Sequence, residues 1–203
     1  MFALSCSPIL SLSLSLSRYF MLLYSWKIIR CDRLKYSIHS KPELVAGLIV
    51  KKMKTQGTGY ATAIVLIQKL LEKLLGDEVL VRAQLPIQLG GAQAKPSIAV
   101  VMPDVLRYTD LHPIASQIYL LIEIADHTLT NDCEIQGKIY ARSQIDDFWV
   151  LDINERQLHV FREPSEDGYG SQMILSEDAT VALSAFSTCT FCVRQMLQPV
   201  AGR

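Results

Sequence analysis

The stretch from Ile118 to Ile124, IYLLIEI, is apolar except for one carboxylate, Glu123, near its end. A run of this kind, with no alternation of polar and apolar residues, is typical of a β-strand that is buried on both faces. It therefore constrains the chain to a sheet with a covering layer on each side. A carboxylate in such a strand is costly to bury unless it is paired or bound to a metal ion, so Glu123 is the first candidate site residue.

Helical and strand patterns alternate along the chain between residues 60 and 197. Asn131 followed by Glu134 resembles a capping box, which predicts that a helix starts at Asn131. Asn154-Glu155 lies between two apolar runs and predicts a hairpin. The predicted elements are a helix over 60–75, a strand over 79–84 continuing over 86–89, strands over 98–102 and 118–124, a helix over 131–142, strands over 148–153 and 157–162, a loop over 163–170, and closing elements at 172–175 and 190–197. This order predicts an α/β (α+β) fold, a single domain with a mixed β-sheet flanked by helices.

Residues 1–40 differ from the rest and form an apolar, serine-rich leader. No positive region precedes its apolar stretch, as a signal peptide would require. Interleaved serines and Arg18 interrupt the roughly 20 apolar residues that a membrane helix needs, so no stable membrane span is expected. Two explanations stay open: a misplaced start, with the native chain beginning near Met21 or later, or a membrane-associated leader. The folded domain is predicted over 41–198.

Composition narrows the class of protein only in part. The 203 residues suffice for one domain with a sizeable core, and 20 basic residues balance 20 acidic ones. A balanced chain has no global field that attracts nucleic acid, although a local basic patch is still compatible with it. Five cysteines, an odd number without a framework, fit a reducing cytoplasm better than a disulfide scaffold.

Four blocks of sequence resemble the bacterial Uma family of restriction endonucleases, a branch of the PD-(D/E)xK nucleases. They are LLGDEVLVRAQLPIQL, IAVVMPDVLRYTDLHPIA, LLIEIADHTLTNDCEI and DFWVLDINERQLHVFREP, and the resemblance they carry extends over most of 41–197. The resemblance implies a restriction-endonuclease-like fold and a Mg²⁺-dependent DNA endonuclease. In that family a Pro-Asp strand supplies one carboxylate, the apolar strand supplies a second, and a lysine lies nearby.

The chain departs from the family pattern at the positions that carry the chemistry. Glu123 matches the second carboxylate and is the expected metal ligand, but Ser97 stands at the Asp position and Gln136 at the helix lysine. Magnesium prefers carboxylate oxygens, so a neutral hydroxyl at Ser97 predicts weakened affinity for the ion. Two less certain departures are Leu48 after Gly47, where the family often has Glu, and Tyr60, where it often has His.

Two neighbouring residues are candidates to replace the missing groups. Asp104 also follows a proline, but it lies seven residues after Ser97, about 20 Å further along an extended chain, so we expect it in a loop. Lys138 is two residues after Gln136, and a helix rotates it by about 200° to the opposite side. We therefore expect neither to complete the site.

Helical spacing also groups the residues around Gln136. Asp132, Gln136 and Tyr140 recur at i, i+4 and i+8, so they share one face, and we expect that face to look towards Glu123. Asp132 has two open interpretations: a site role, or stabilisation of the first helical turn by the helix dipole. The predicted catalytic set is therefore Glu123 and Asp132 with the substituted positions Ser97 and Gln136.

These residues leave the status of the chain as an enzyme open. The principal hypothesis is a restriction-type endonuclease whose Mg²⁺-dependent cleavage of DNA is impaired. The alternatives are a non-catalytic descendant that binds DNA or a protein, and a decaying gene product with no selected role. A homodimer is also possible. DNA binding would be favoured if basic side chains clustered around Glu123, and the candidates are Arg82, Lys95, Arg107, Lys138 and Arg142.

Overall fold

The structure is a computed structural model that describes residues 57–199 and, before them, the backbone of two short strands. The strands are β1 (Glu43–Val45), β2 (Leu48–Val50), β3 (Leu80–Ala83), β4 (Ile87–Leu89), β5 (Ala92–Ala94), β6 (Ile98–Val101), β7 (Ile118–Ala125), β8 (Asp147–Asp152), β9 (Gln157–Pro164), β10 (Tyr169–Ser176), β11 (Thr180–Ala182) and β12 (Thr190–Cys192). Helix α1 is Thr58–Leu75, and 3₁₀ turns lie at Gly76–Glu78, Ala115–Gln117, Ser184–Phe186 and Val193–Met196. The predicted leader, residues 1–40, lies outside the described residues, so its boundary with the domain stays a prediction.

The second helix, α2, joins three consecutive segments of different winding. It begins with the short α-helix Leu129–Asn131, continues as the π-helix Asp132–Gln136 and ends as the α-helix Gly137–Arg142. The predicted start at Asn131 was wrong, because the first helical residue is Leu129 and Thr128 occupies the N-cap position. π-helical turns are rare and occur frequently at functional sites.

Six strands form one mixed sheet in the order β10-β9-β8-β7-β6-β3. Strands β7 and β8 run parallel, while the other neighbouring pairs of this sheet run antiparallel. A parallel pair needs a crossover connection, and α2 supplies it between β7 and β8. This topology confirms the predicted mixed α+β fold with a sheet flanked by helices.

The sheet separates two apolar layers, as the apolar run in β7 predicted. On one face, α1 packs on the sheet through Ile67 and Leu71 together with the alternate β7 residues Leu120 and Ile122. On the other face, α2 packs through Tyr140, and Leu121 of β7 lies in that cluster. Every residue of β7 except Tyr119 is buried. Burial on both faces explains why its sequence shows no alternation.

Several predicted boundaries changed for identifiable reasons. Residues 86–89 do not continue β3; instead β4 pairs with β5 in a separate hairpin. The predicted loop over 163–170 is shorter, because β9 extends to Pro164 and β10 begins at Tyr169. Polar and glycine residues there suggested a loop, but they occupy an edge strand that is largely exposed. Within residues 57–199, no helix is long and apolar enough to cross a membrane.

A buried carboxylate, Asp147, links β8 to the closing part of the chain. It accepts hydrogen bonds from Trp149 Nε1 (2.8 Å), Arg162 Nε (3.1 Å) and the backbone N–H of Ser184 (2.8 Å). Its side chain is fully buried, whereas that of Arg162 is partly exposed. Removing one partner of a buried, hydrogen-bonded ion pair leaves the other partners without a hydrogen bond, and this is strongly destabilising.

Replacing Asp147 should therefore test how firmly this carboxylate holds the fold together. We expect Asp147→Ala to lower the free energy of unfolding by about 3–5 kcal/mol in urea denaturation, because the buried Trp149 indole, the Arg162 guanidinium and the Ser184 N–H all lose their acceptor. The neighbouring Asp146 is exposed, so Asp146→Ala is the matched control and should change stability by less than about 0.5 kcal/mol. Equal losses in the two variants would contradict this role of Asp147.

His159 in β9 is a buried side chain whose two ring nitrogens make no hydrogen bond within the described residues. Burial lowers its pKa below the usual 6.5, and the nearby Asp152 opposes this shift only in part. The folded protein therefore holds a neutral imidazole, whereas the unfolded chain binds a proton below about pH 6.5. Because the unfolded state takes up more protons there, low pH favours unfolding.

The thermal midpoint should consequently fall as the pH is lowered through 6.5 towards the depressed folded pKa of His159. His159→Phe keeps a flat ring that does not titrate, so we expect it to reduce the fall in thermal midpoint at low pH. Circular dichroism melts at a series of pH values measure this midpoint. The matched control is His127→Phe, at a side chain that is 68% exposed. If both variants followed the wild-type curve, His159 would not be responsible for it.

Candidate active site

Glu123 lies near the carboxyl end of β7, and Ser97 lies beside it at the start of β6. Both are buried, with 2% of Glu123 and none of Ser97 exposed. Ser97 Oγ donates a hydrogen bond of 2.7 Å to Glu123 Oε2, and the Ser97 backbone N–H donates one of 3.0 Å to the same oxygen. Ser97 therefore holds one oxygen of the Glu123 carboxylate through both its hydroxyl and its backbone.

The α2 helix holds the other carboxylate oxygen. Tyr140 Oη donates to Glu123 Oε1 at 2.9 Å and also lies 3.1 Å from Oε1 of Gln136. Gln136 Nε2 donates to Asp132 Oδ1 at 3.0 Å, and Thr128 Oγ1 donates to Asp132 Oδ2 at 2.5 Å. The shared face predicted from the helical spacing thus does point towards Glu123, whereas Lys138 is exposed.

On the other side of Ser97 the hydrogen bonds continue towards α1. Tyr60 Oη donates to Ser97 Oγ at 2.9 Å, and Gln84 Nε2 approaches Tyr60 Oη at 3.4 Å. The backbone N–H of Ile124 also donates to Ser97 Oγ, at 3.2 Å. The polar contacts therefore run without a break from α1 to α2. We call this set the Glu123 network: Thr128, Asp132, Gln136, Tyr140, Glu123, Ser97, Tyr60 and Gln84.

Three acidic side chains act on Cys133, which follows Asp132 of the network. The pKa of the Cys133 thiol is raised to about 11, first by burial and then by the negative charges of Asp132, Asp152 and Glu134. A thiol with that pKa stays protonated at neutral pH and is not a nucleophile. Asp152 lies at the end of β8, where Oδ1 accepts the backbone N–H groups of the hairpin turn at 2.9 and 3.1 Å.

The described side chains do not fit a magnesium ion at Glu123. Among residues 57–199, no group of three or more His, Cys, Asp or Glu side chains is arranged to hold a metal. Both Glu123 oxygens already accept hydrogen bonds from protein donors, and the neighbouring Ser97 supplies a neutral hydroxyl in place of a carboxylate. Magnesium requires near-octahedral oxygen ligation with anionic ligands. Glu123 and Ser97 therefore give the ion a poor site.

Two of the candidate basic residues hydrogen-bond to backbone oxygens elsewhere in the chain. Arg82 Nη1 donates to the backbone oxygen of Arg107, in the loop after β6, at 3.5 Å, and Arg82 Nη2 donates to that of Pro86 at 3.3 Å. Arg142 Nε donates to the backbone oxygen of Glu166 at 2.9 Å, beyond the far end of α2. Lys95 is exposed two residues before Ser97.

Asp104, the candidate to replace the missing carboxylate, also lies away from Glu123. Asp104 Oδ2 accepts the backbone N–H of Tyr108 at 2.7 Å in the loop after β6, so it does not turn back to Glu123. Gly47 and the side chain of Leu48 fall outside the described part of the chain.

Two residues of the Glu123 network, Gln84 and Thr128, were not predicted from the sequence. Thr128 carried a detectable signal, since threonine is a preferred N-cap residue directly before an apolar helical pattern.

Comparison with known proteins agrees with this architecture. Residues 36–193 match the family model Uma2, described as "Putative restriction endonuclease". A crystal structure of a "putative nuclease belonging to DUF820" from Anabaena variabilis ATCC 29413 superposes with a TM-score of 0.60 at 15% sequence identity, covering 79% of this chain and 92% of that one. At this identity the likeness shows the fold alone. No curated protein matches the chain. Since the family match spans most of its length, the chain belongs to the Uma2 family.

Proposed function

We propose that this chain is a restriction-type DNA endonuclease whose Mg²⁺-dependent phosphodiester hydrolysis is impaired. The observation that supports the proposal is the hydrogen bonding of Glu123. Ser97 and Tyr140 donate to its two carboxylate oxygens, at 2.7 and 2.9 Å. A carboxylate held in this way does not need a metal ion to be stable when buried. By the sequence resemblance, Glu123 matches the second carboxylate of the family.

The hydrolysis of DNA has two requirements that no side chain of this site meets well. Metal-dependent hydrolysis needs a cation that polarises the phosphoryl oxygen and activates a water molecule, and Ser97 gives that cation a poor ligand. The developing negative charge also needs a positive or donor group aimed at it. Gln136 carries no charge, and its amide nitrogen already donates to Asp132. Each substitution removes one contribution, so we infer a loss of activity larger than either alone would cause.

DNA remains the proposed partner because it is the substrate of restriction endonucleases. Asp132, in the same network as Glu123, and the hydrogen bonds of Arg82 and Arg142 to backbone oxygens elsewhere weaken any attraction for phosphates. The second candidate is a non-catalytic descendant that binds DNA or a protein, and weak attraction for phosphates favours its protein-binding form. An odd number of cysteines without a disulfide framework supports a cytoplasmic location for either candidate.

Restoring the two substituted residues tests the proposal directly. We expect the full chain to cleave plasmid DNA with Mg²⁺ or Mn²⁺ weakly or not at all. The double variant Ser97→Asp/Gln136→Lys should cut more than about a hundredfold faster, because one electrostatic contribution to a transition state is already worth about that factor and two are restored. It should also show a rise in thermal midpoint on addition of Mn²⁺, because the metal relieves the repulsion between two neighbouring carboxylates.

Two controls make the cleavage assay decisive. Adding Glu123→Ala to the restored variant should abolish its gain, since the metal loses its buried ligand. Replacing the exposed Lys138 by glutamine should leave every rate unchanged. Wild-type cleavage at the rate of the restored variant, lost on Glu123→Ala, would show that the site is not impaired.

A further inference from the structure

Strand β10 forms one edge of the six-stranded sheet and lacks the features that usually protect such an edge. It is eight residues long, and its sequence, YGSQMILS, contains neither a charged residue nor a proline. Strand β9 pairs with one side of it, in constant register from Ser171 to Ser176, and no strand within residues 57–199 pairs with the other side. Folded proteins usually protect an edge with a lysine, a proline, a bulge or a covering helix, because its unpaired backbone groups accept another strand.

The opposite edge of the same sheet, strand β3, is protected by comparison. It is only four residues long and includes the charged residue Arg82. Gln84, directly after it, has a left-handed backbone with φ of 54°, so the chain leaves the extended conformation there. A short edge that ends in a bend offers few backbone groups to another strand. Strand β10 is therefore the edge of this sheet that is suited to pairing.

The side chains of β10 indicate that an extended segment, rather than a helix, covers this edge. Met173 is 41% exposed and Ile174 is 57% exposed. Neighbouring residues of a strand point to opposite faces of the sheet, so apolar surface is exposed on both faces beside the same edge. A helix covers only one face, and its backbone groups are already bonded within the helix. An added strand buries both side chains and also pairs the backbone of β10.

The turn that leads into β10 adds a requirement on charge. Glu163, Glu166 and Asp167 are all exposed there. The nearby Arg142 donates to the backbone oxygen of Glu166, at 2.9 Å, so three carboxylates accompany one guanidinium. A ligand strand with a basic residue at the end that lies beside this turn is complementary in charge.

The other end of β10 is already neutralised within the chain. Glu177 forms ion pairs with Arg156 and Arg194, and Asp178 forms one with Arg194. An antiparallel second copy of β10 would bring these paired arginines to the acidic turn, and β10 itself carries no charge. A basic peptide strand therefore satisfies the turn, whereas a second copy supplies no unpaired cation to it.

We propose that the open edge of β10 binds an extended segment of a partner protein, which adds a seventh strand to the sheet. The segment has apolar residues at its centre, beside Met173 and Ile174, and a basic residue beside the 163–168 turn. Backbone hydrogen bonds supply its affinity, and the two apolar contacts and the charge supply its specificity. Strands β9 and β8 separate β10 from β7, which carries Glu123, so the inference goes beyond the proposed function and does not depend on activity at Glu123.

A synthetic peptide with these features tests the inference with the full chain. The probe is fluorescein-labelled Lys-Thr-Val-Thr-Ile-Val-Thr-Lys, which has the length of β10 and a lysine at each end, so that either orientation brings a lysine to the turn. We expect fluorescence anisotropy to give a dissociation constant below about 100 μM. The same peptide methylated on two neighbouring central amide nitrogens loses a donor on each of its edges and should not bind.

Variants of the protein locate the binding site. Ile174→Lys places a charge on the edge and should raise the dissociation constant at least tenfold. Val65→Lys, at a 48% exposed valine on α1, is the matched control and should bind as the wild type does. Glu166→Lys/Asp167→Lys should also weaken binding, most strongly at low salt. Circular dichroism of each variant shows whether it is folded.

Hydrogen exchange and sedimentation complete the test. Saturating peptide should slow amide exchange in β10 and leave that of β3, the opposite edge, unchanged. Absence of binding, equal binding of the methylated peptide, or protection of β3 instead of β10 would overturn the proposal. So would sedimentation of the wild type as a dimer that Ile174→Lys converts to a monomer, because a second copy would then occupy the edge.

Discussion

Burial of the Glu123 carboxylate between a sheet and a helix is the constraint on which the centre of this fold depends. An ionisable group there must have hydrogen-bond partners, or the strand that carries it would not be stable in an apolar layer. Its partners come from two directions, Ser97 on the neighbouring strand and Tyr140 on α2. The same contacts fix how α2 lies across the parallel pair β7 and β8. One acidic residue therefore orients the crossover helix as well as the candidate active site.

Both residues that we propose as departures from the nuclease pattern belong to the Glu123 network. Ser97 donates to Glu123, and Gln136 joins Tyr140 to Asp132. Under the proposal, Ser97 stands at the family's carboxylate position and Gln136 at its lysine position. A second carboxylate beside Glu123 would repel it unless a cation lay between them. Serine at that position gives Glu123 a hydrogen-bond donor and avoids this repulsion.

Local patterns in the sequence were sufficient to predict the sheet, the crossover helix and the facing of α2 towards Glu123. The apolar run of β7 and the i, i+4, i+8 spacing of Asp132, Gln136 and Tyr140 are strong periodic signals. The start of α2 was mispredicted because Asn131 and Glu134 mimic a capping box inside the helix. The position of the Arg142 side chain was not predictable, since it is decided by a hydrogen bond to Glu166 in a loop distant in sequence. Tertiary contacts of that kind leave no periodic trace.

The most direct test of this account is a calorimetric titration of the full chain with Mn²⁺, comparing wild type with Glu123→Gln. Glutamine keeps the size of the side chain while removing its charge, so a metal ligand would be lost. The account predicts that the two proteins bind Mn²⁺ equally weakly, because protein donors already occupy both carboxylate oxygens of Glu123. Stoichiometric binding by the wild type that disappears in Glu123→Gln would contradict it.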